Sequence, residues 1–155
     1  MAAPRPAPDF AAGTIVFGIG NSARGDDGLG WAFLDRVQGL PGFAAQAEYR
    51  YQLQVEDALL AAQYERVVFV DASREVLDGG FRWAPCAPRA GDAFTTHELP
   101  PSAVLHYARS LYGAEPAAGV LALQGVRWGL REGLSAEAEA GLEAALRFCA
   151  AGRSA

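Results

Sequence analysis

Thr14-Ile-Val-Phe-Gly18 runs into Ile19-Gly20-Asn21-Ser22-Ala23-Arg24-Gly25-Asp26-Asp27-Gly28, and Leu29, Phe33, Val37 and Leu40 follow at helical spacing up to Pro41-Gly42. A short run of β-branched and aromatic residues suits a strand buried on both faces of a parallel sheet. Glycines end that run, and apolar recurrence every three to four residues marks the next segment as an amphipathic helix that stops at Pro41. The unit is therefore strand, loop, helix, and the rest of the chain can be read against it.

The alternation continues downstream. Ala47, Tyr49, Tyr51 and Leu53 alternate with polar neighbours as in a half-buried strand, and a short helix is expected through Val55, Leu59 and Ala62. Arg66-Val-Val-Phe-Val-Asp71 is the clearest strand, and its unbroken hydrophobicity places it centrally. Phe81 and Trp83, after the Asp78-Gly79-Gly80 turn, predict a shorter strand, a hairpin partner beside the central one. Pro100-Pro101-Ser102 opens a third helix carrying Val104, Tyr107, Ala108 and Leu111 and stopped by Gly113. Gly119-Val-Leu-Ala-Leu123 supplies a last buried strand. Ser135 introduces the final helix, with Glu137 and Glu139 in its first turn and Leu142, Ala145, Leu146 and Cys149 as its buried stripe. Strands alternating with helices predict a three-layer α/β domain around a mostly parallel sheet. A length of 155 residues with 51% hydrophobic content suits one such domain. Residues 1–12 are expected as a flexible Pro/Ala-rich arm, 13–151 as the folded body and 152–155 as a frayed end.

Composition removes several classes of function. A net charge of -5 with no run of basic residues excludes a broad nucleic-acid footprint. Every basic side chain is arginine, which excludes lysine-dependent phosphate loops and Schiff-base chemistry. Cys86 and Cys149 have no neighbouring thiol, so neither a zinc knuckle nor a redox dithiol forms locally. Both are expected as buried hydrophobes in a reducing compartment, with a disulfide between them left open. The N-terminus lacks the apolar core of a signal peptide, and no run is long enough to span a membrane. A cytoplasmic protein with neither nucleic-acid nor membrane partners is the expectation.

The residues that can carry chemistry gather around the first loop and two later points. Gly18-Ile-Gly20 suggests a dinucleotide turn, but Gly25 comes too late for that fingerprint, and Asp26 and Asp27 would set negative charge where phosphates lie. A nucleotide-binding Rossmann-like module stands as the alternative reading. Asp26 is expected to cap the first turn of the following helix. Asp27, Asp71 at the end of the central strand, and His97 in Thr95-Thr96-His97-Glu98 fall where an open α/β sheet collects its ligand-binding loops. Two carboxylates and an imidazole form an open site for a borderline divalent ion, leaving positions for water or a substrate group. His106, beside Tyr107 on the third helix, is assigned to packing or solvent.

Three of these stretches together resemble the nickel-iron hydrogenase maturation endopeptidases, which remove a C-terminal peptide from the hydrogenase large-subunit precursor. Gly18-Ile-Gly20-Asn21-Ser22-Ala23-Arg24-Gly25-Asp26-Asp27-Gly28-Leu29-Gly30 is similar to the family's opening signature, whose second acidic residue, here Asp27, is a metal ligand. Val68-Phe69-Val70-Asp71-Ala72 resembles the strand that ends in the second ligand, and Thr96-His97-Glu98-Leu99 the loop that provides the histidine. Leu123-Gln124-Gly125 and Gly133-Leu134-Ser135 are similar to the last strand and the entry to the final helix. The resemblance implies a three-layer αβα domain with a five-stranded, mixed sheet in which one strand, that of Phe81, runs against the others. It also implies a precursor partner loaded with nickel, which Asp27, Asp71 and His97 would contact; zinc or another divalent ion would substitute in vitro. A carboxylate acting as general base is the rival mechanism, and a nickel-dependent checkpoint without peptidase activity is a further alternative. The enzyme is expected to be a monomer.

Overall fold

The computed structural model describes residues 7–90 and 99–151. Five strands, β1 (Thr14–Ile19), β2 (Gln46–Arg50), β3 (Arg66–Ser73), β4 (Phe81–Pro85) and β5 (Ala117–Gln124), form one sheet in the order β2-β1-β3-β5-β4. β1 pairs in parallel with β2 and β3, and β3 in parallel with β5, so four strands point their carboxyl ends the same way. β4 runs antiparallel to β5, which makes the sheet mixed and β4 the reversed strand. The hairpin expected beside the central strand is not formed: β5 separates β3 from β4. Local turn chemistry after Asp78 announces a reversal of direction but carries no information on which strand receives it.

Helices α1 (Leu29–Val37), α2 (Glu56–Ala61), α3 (Pro101–Tyr112) and α4 (Ala136–Ala151) cover both faces. Strand side chains alternate between the two layers. Val16, Val68, Val70, Leu121 and Leu123 pack against Leu29, Phe33 and Val37 of α1 and Leu142, Ala145 and Cys149 of α4. Ile15, Phe17, Val67 and Phe69 face Ala58 and Ala61 of α2 and Val104, Leu105 and Ala108 of α3. Phe17 and Phe69, paired in register on β1 and β3, stack with ring centroids 5.7 Å apart. The expected three-layer αβα architecture is thus the observed one.

Three local readings are corrected. The arm expected through residue 12 is shorter at its described end: Phe10 is fully buried against Phe33 and Phe43, and its carbonyl accepts a hydrogen bond from Ala44 N at 2.8 Å. One large aromatic ring secures a segment that its prolines and alanines made look loose. Val55, at the N-cap of α2, and Leu59 within it face solvent, and the inward face of the helix carries Asp57, Ala58 and Ala61. Asp57 is tolerated there because Arg50 Nε sits 3.0 Å from one of its oxygens and Gln54 N donates to the other at 2.9 Å. Leu111 of α3 is likewise exposed. Cys149 is buried and Cys86 half-buried, and the disulfide left open between them is not formed. Burial raises the Cys86 pKa. Among the described residues no helix is long and apolar enough to cross a membrane.

Candidate functional site

α1 packs unusually close to the sheet. A Cβ on Gly18 would lie 2.7 Å from the Gly30 carbonyl oxygen, and one on Gly20 would overlap the Asp27 carbonyl oxygen. Gly20 also has φ +144, a conformation that side-chain-bearing residues rarely adopt. The glycines that suggested a dinucleotide turn are therefore occupied by the protein's own backbone: they bring the loop back over the end of β1 and set where Asp27 stands. Asn21 N donates to the Asp27 carbonyl at 3.0 Å, and Asp27 N to the Arg24 carbonyl at 3.2 Å, closing the loop into a 3-10 turn over Gly25–Gly28.

The carboxyl ends of the parallel strands open onto a cleft of about 770 Å³. The loop after β1 contributes Arg24 and Asp27; β3 and its extension contribute Asp71, Ser73 and Arg74. Tyr51 and Gln52 follow β2, and Trp128 follows β5. Loops at the carboxyl edge of an open α/β sheet are where such folds bind ligands. Asp27 and Asp71, far apart in sequence, thus line one cavity, and both are half-buried. His97, the third residue expected here, lies outside the described residues; Leu99, two positions later, lines the cleft. Among the described residues no three His, Cys, Asp or Glu side chains group as a metal set. His106 sits on α3 with its ring 5.3 Å from Tyr107, and its Nδ1 is buried without a hydrogen-bond partner among the described residues.

Neither a protein-family model nor a curated protein matches the sequence. Solved structures do match. The [NiFe] hydrogenase maturation protease HycI from Thermococcus kodakarensis is 28% identical with a TM-score of 0.61, covering 88% of this chain and 86% of that one. The hydrogenase maturating endopeptidase HybD from E. coli is 19% identical with a TM-score of 0.65, covering 86% and 87%. The solution structure of an endopeptidase from E. coli gives 19% identity and a TM-score of 0.67 over 90% of both chains. The chain has the hydrogenase maturation endopeptidase fold. The family resemblance drawn from the motifs holds at the level of the whole architecture, including the antiparallel strand at the sheet edge.

Within that endopeptidase fold, Asp26 does something its sequence context did not suggest. It is fully buried and makes no cap to the turn it belongs to. One of its oxygens accepts hydrogen bonds from Val126 N at 2.8 Å, Arg127 N at 2.9 Å and Ser135 Oγ at 2.7 Å, and the other from Ser135 N at 2.7 Å. Ser135 Oγ in turn accepts from Ala138 N at 3.1 Å, capping α4. Asp26 therefore serves the N-terminus of the last helix, more than a hundred residues away, and not the first. Burial opposes its charge, but the four donors outweigh burial and hold the carboxyl below its ordinary pKa. Backbone bonds reinforce the tie: Gly25 N to Arg131 O at 2.7 Å, Asp26 N to Arg127 O at 2.8 Å and Arg131 N to Ala23 O at 3.1 Å.

The cleft also contains residues that sequence reasoning passed over. Arg74 lies over the Trp128 ring, 4.2 Å from guanidinium carbon to centroid, and Arg24 faces the same space. Both sit in loops without helical or strand periodicity. The available signal was the place of Arg74 one residue beyond β3 and of Arg24 three residues before Asp27.

Proposed function

We propose that this protein is an endopeptidase that removes the C-terminal peptide of a nickel-loaded nickel-iron hydrogenase large-subunit precursor. The observation that carries the reading is that Asp27, from the loop after β1, and Asp71, from the last residues of the neighbouring parallel strand β3, line one open cleft in a fold shared with hydrogenase maturation endopeptidases. The nickel belongs to the substrate. Carboxylate oxygens suit a divalent ion and the imidazole of His97 suits nickel, so these three side chains form a donor set able to contact the metal while leaving its precursor ligands in place. Contact of that kind holds the scissile peptide beside the carboxylates, so that attack by water becomes effectively intramolecular. Water adds to the scissile carbonyl, its proton passes to a carboxylate, and the amine of the released peptide takes a proton on departure. The protein works as a monomer in the cytoplasm, where precursor assembly takes place, and zinc substitutes for nickel in binding experiments.

The test mixes purified protein with nickel-loaded precursor and follows the precursor mass. Loss of a short C-terminal peptide is the expected result, and an unchanged mass with a competent precursor overturns the reading. His97→Ala is expected to abolish the loss and His106→Ala to leave it intact. The reverse pattern would assign the role to the wrong histidine.

A further inference from the structure

Among the described residues the cleft is lined by two cations as well as two carboxylates, and the cations are not spent on the carboxylates. Arg24 and Arg74 both line it, and neither forms an ion pair or a side-chain hydrogen bond among the described residues. Elsewhere arginines are used internally: Arg36, Arg50, Arg66 and Arg82 each pair with at least one carboxylate. Both side chains are exposed, Arg24 on a fixed backbone and Arg74 against an indole ring. The Arg24 backbone is fixed by its own N–H to Asn21 O at 3.0 Å and flanked by the ties from Ala23 and Gly25 to Arg131. Arg74 is spread over Trp128, and Trp128 rests on Gly125, where a Cβ would come within 2.7 Å of the ring. A guanidinium stacked on an indole keeps its N–H edge available, and that planar fork matches a carboxylate.

We propose that Arg24 and the Arg74–Trp128 stack form a carboxylate subsite that takes an anionic group of the bound peptide, in the same cleft as the carboxylates that work on its amide. This rests on the reading of the cleft as a peptide site. Two sources supply the same chemistry: the terminal carboxylate of the peptide tail, or an acidic side chain within it. Physical reasoning favours a carboxylate over a phosphate, because Asp27 and Asp71 in the same cleft repel a dianion more strongly than a monoanion.

The experiment titrates the full-length protein with acetyl-trialanine bearing a free carboxylate, with the same peptide amidated, and with amidated acetyl-Ala-Glu-Ala. It follows the Trp128 indole N–H and the Arg74 Nε–H by NMR, with Trp128→Phe assigning the former. Saturable shifts with either carboxylate peptide and none with amidated trialanine are expected, and which of the two binds identifies the source. Arg24→Gln and Arg74→Gln are each expected to weaken binding about tenfold, the scale of one lost charge-assisted hydrogen bond. Arg74→Lys should lose part of this and Arg109→Gln none. Equal shifts with the amidated trialanine, or undiminished binding by both glutamine variants, overturn the proposal. In the precursor assay, Arg74→Gln is expected to raise KM and leave kcat unchanged. Carboxylate binding by a protein that never shortens its precursor would overturn the endopeptidase reading alone, and processing by a protein that ignores carboxylate peptides would overturn the subsite alone.

Discussion

Asp26 and Asp27 are neighbours in sequence and belong to two regions with opposite demands. Asp26 sits in a buried seam, where its two oxygens meet four donors from the loop after β5 and the start of α4. Asp27 stands on the wall of the open cleft with Asp71. A buried carboxylate is stable only when its charge is answered by fixed donors. A carboxylate meant for chemistry must stand where a visitor can reach it. One step along the backbone divides the two uses, because the 3-10 turn sends successive side chains to different sides.

The largest effect expected from this contrast is on activity. Asp27→Asn keeps the shape of the side chain and removes its charge, and it should lower precursor processing by about 10³-fold, within the range for loss of a general base. Thermal melts should stay close to wild type. If Asp27→Asn processes normally, the two roles are assigned to the wrong neighbours.

Next comes stability at the seam. Asp26→Ala should cost about 3 kcal/mol in denaturant unfolding, since it leaves the buried Ser135 donors and the part-buried Val126 and Arg127 N–H groups without their acceptor. Asp26→Asn should cost about 2 kcal/mol. Its single oxygen can serve the three-donor position, but its amide then points N–H groups at the Ser135 N–H. A cap to its own helix, the role expected from sequence, would make asparagine a harmless replacement. A neutral Asp26→Asn would restore that prediction and break the comparison.

Acid sharpens the same contrast. The folded pKa of Asp26 lies below its unfolded value, so the unfolded chain takes up the proton first as pH falls. The contribution is complete above pH of about 4 and is lost as pH drops through the lowered folded pKa. Wild-type stability should therefore decline more steeply than that of Asp26→Asn below about pH 4 in acid-dependent melts. Parallel curves would remove the carboxylate's charge from the account.

The smallest effect concerns an exposed tie between the same two parts of the chain. Arg36 on α1 reaches Glu139 at 2.9 Å and Glu143 at 2.8 Å on α4, with all three side chains more than a third exposed. Hydrogen bonding to Glu139 raises the Arg36 pKa, working against partial desolvation. Solvent and salt screen such pairs, so Arg36→Gln should cost under about 1 kcal/mol. A loss equal to that of Asp26→Asn would mean that burial does not set the value of these ties.

Periodicity revealed most of the layers because it reports burial directly. Val67 to Val70 and Ile15 to Phe17 are buried on alternating faces, and the sequence pattern required cover on both. It failed where one residue overrode its neighbours: Phe10 anchors a segment of prolines and alanines, and Asp57 turns the charged side of α2 inward through Arg50. The cleft carboxylates were legible from their places at strand ends. The partners of Asp26 were not, because nothing local to residue 26 refers to residues 126, 127 and 135. The cleft arginines were hidden for a related reason, since a loop side chain has no period to betray its direction.

The Asp26 seam also orders events in time. The segment that bears Asp27 is made early, yet the donors that seat it arrive only when residues 126 to 135 have been made. β1 and α1 can form from local sequence, but the wall of the cleft stays unsettled until α4 begins. Contacts of such long sequence separation are late and slow to close. A nascent chain of this protein therefore carries Asp27 without the geometry to use it until residues 126 to 135 have emerged to seat its loop.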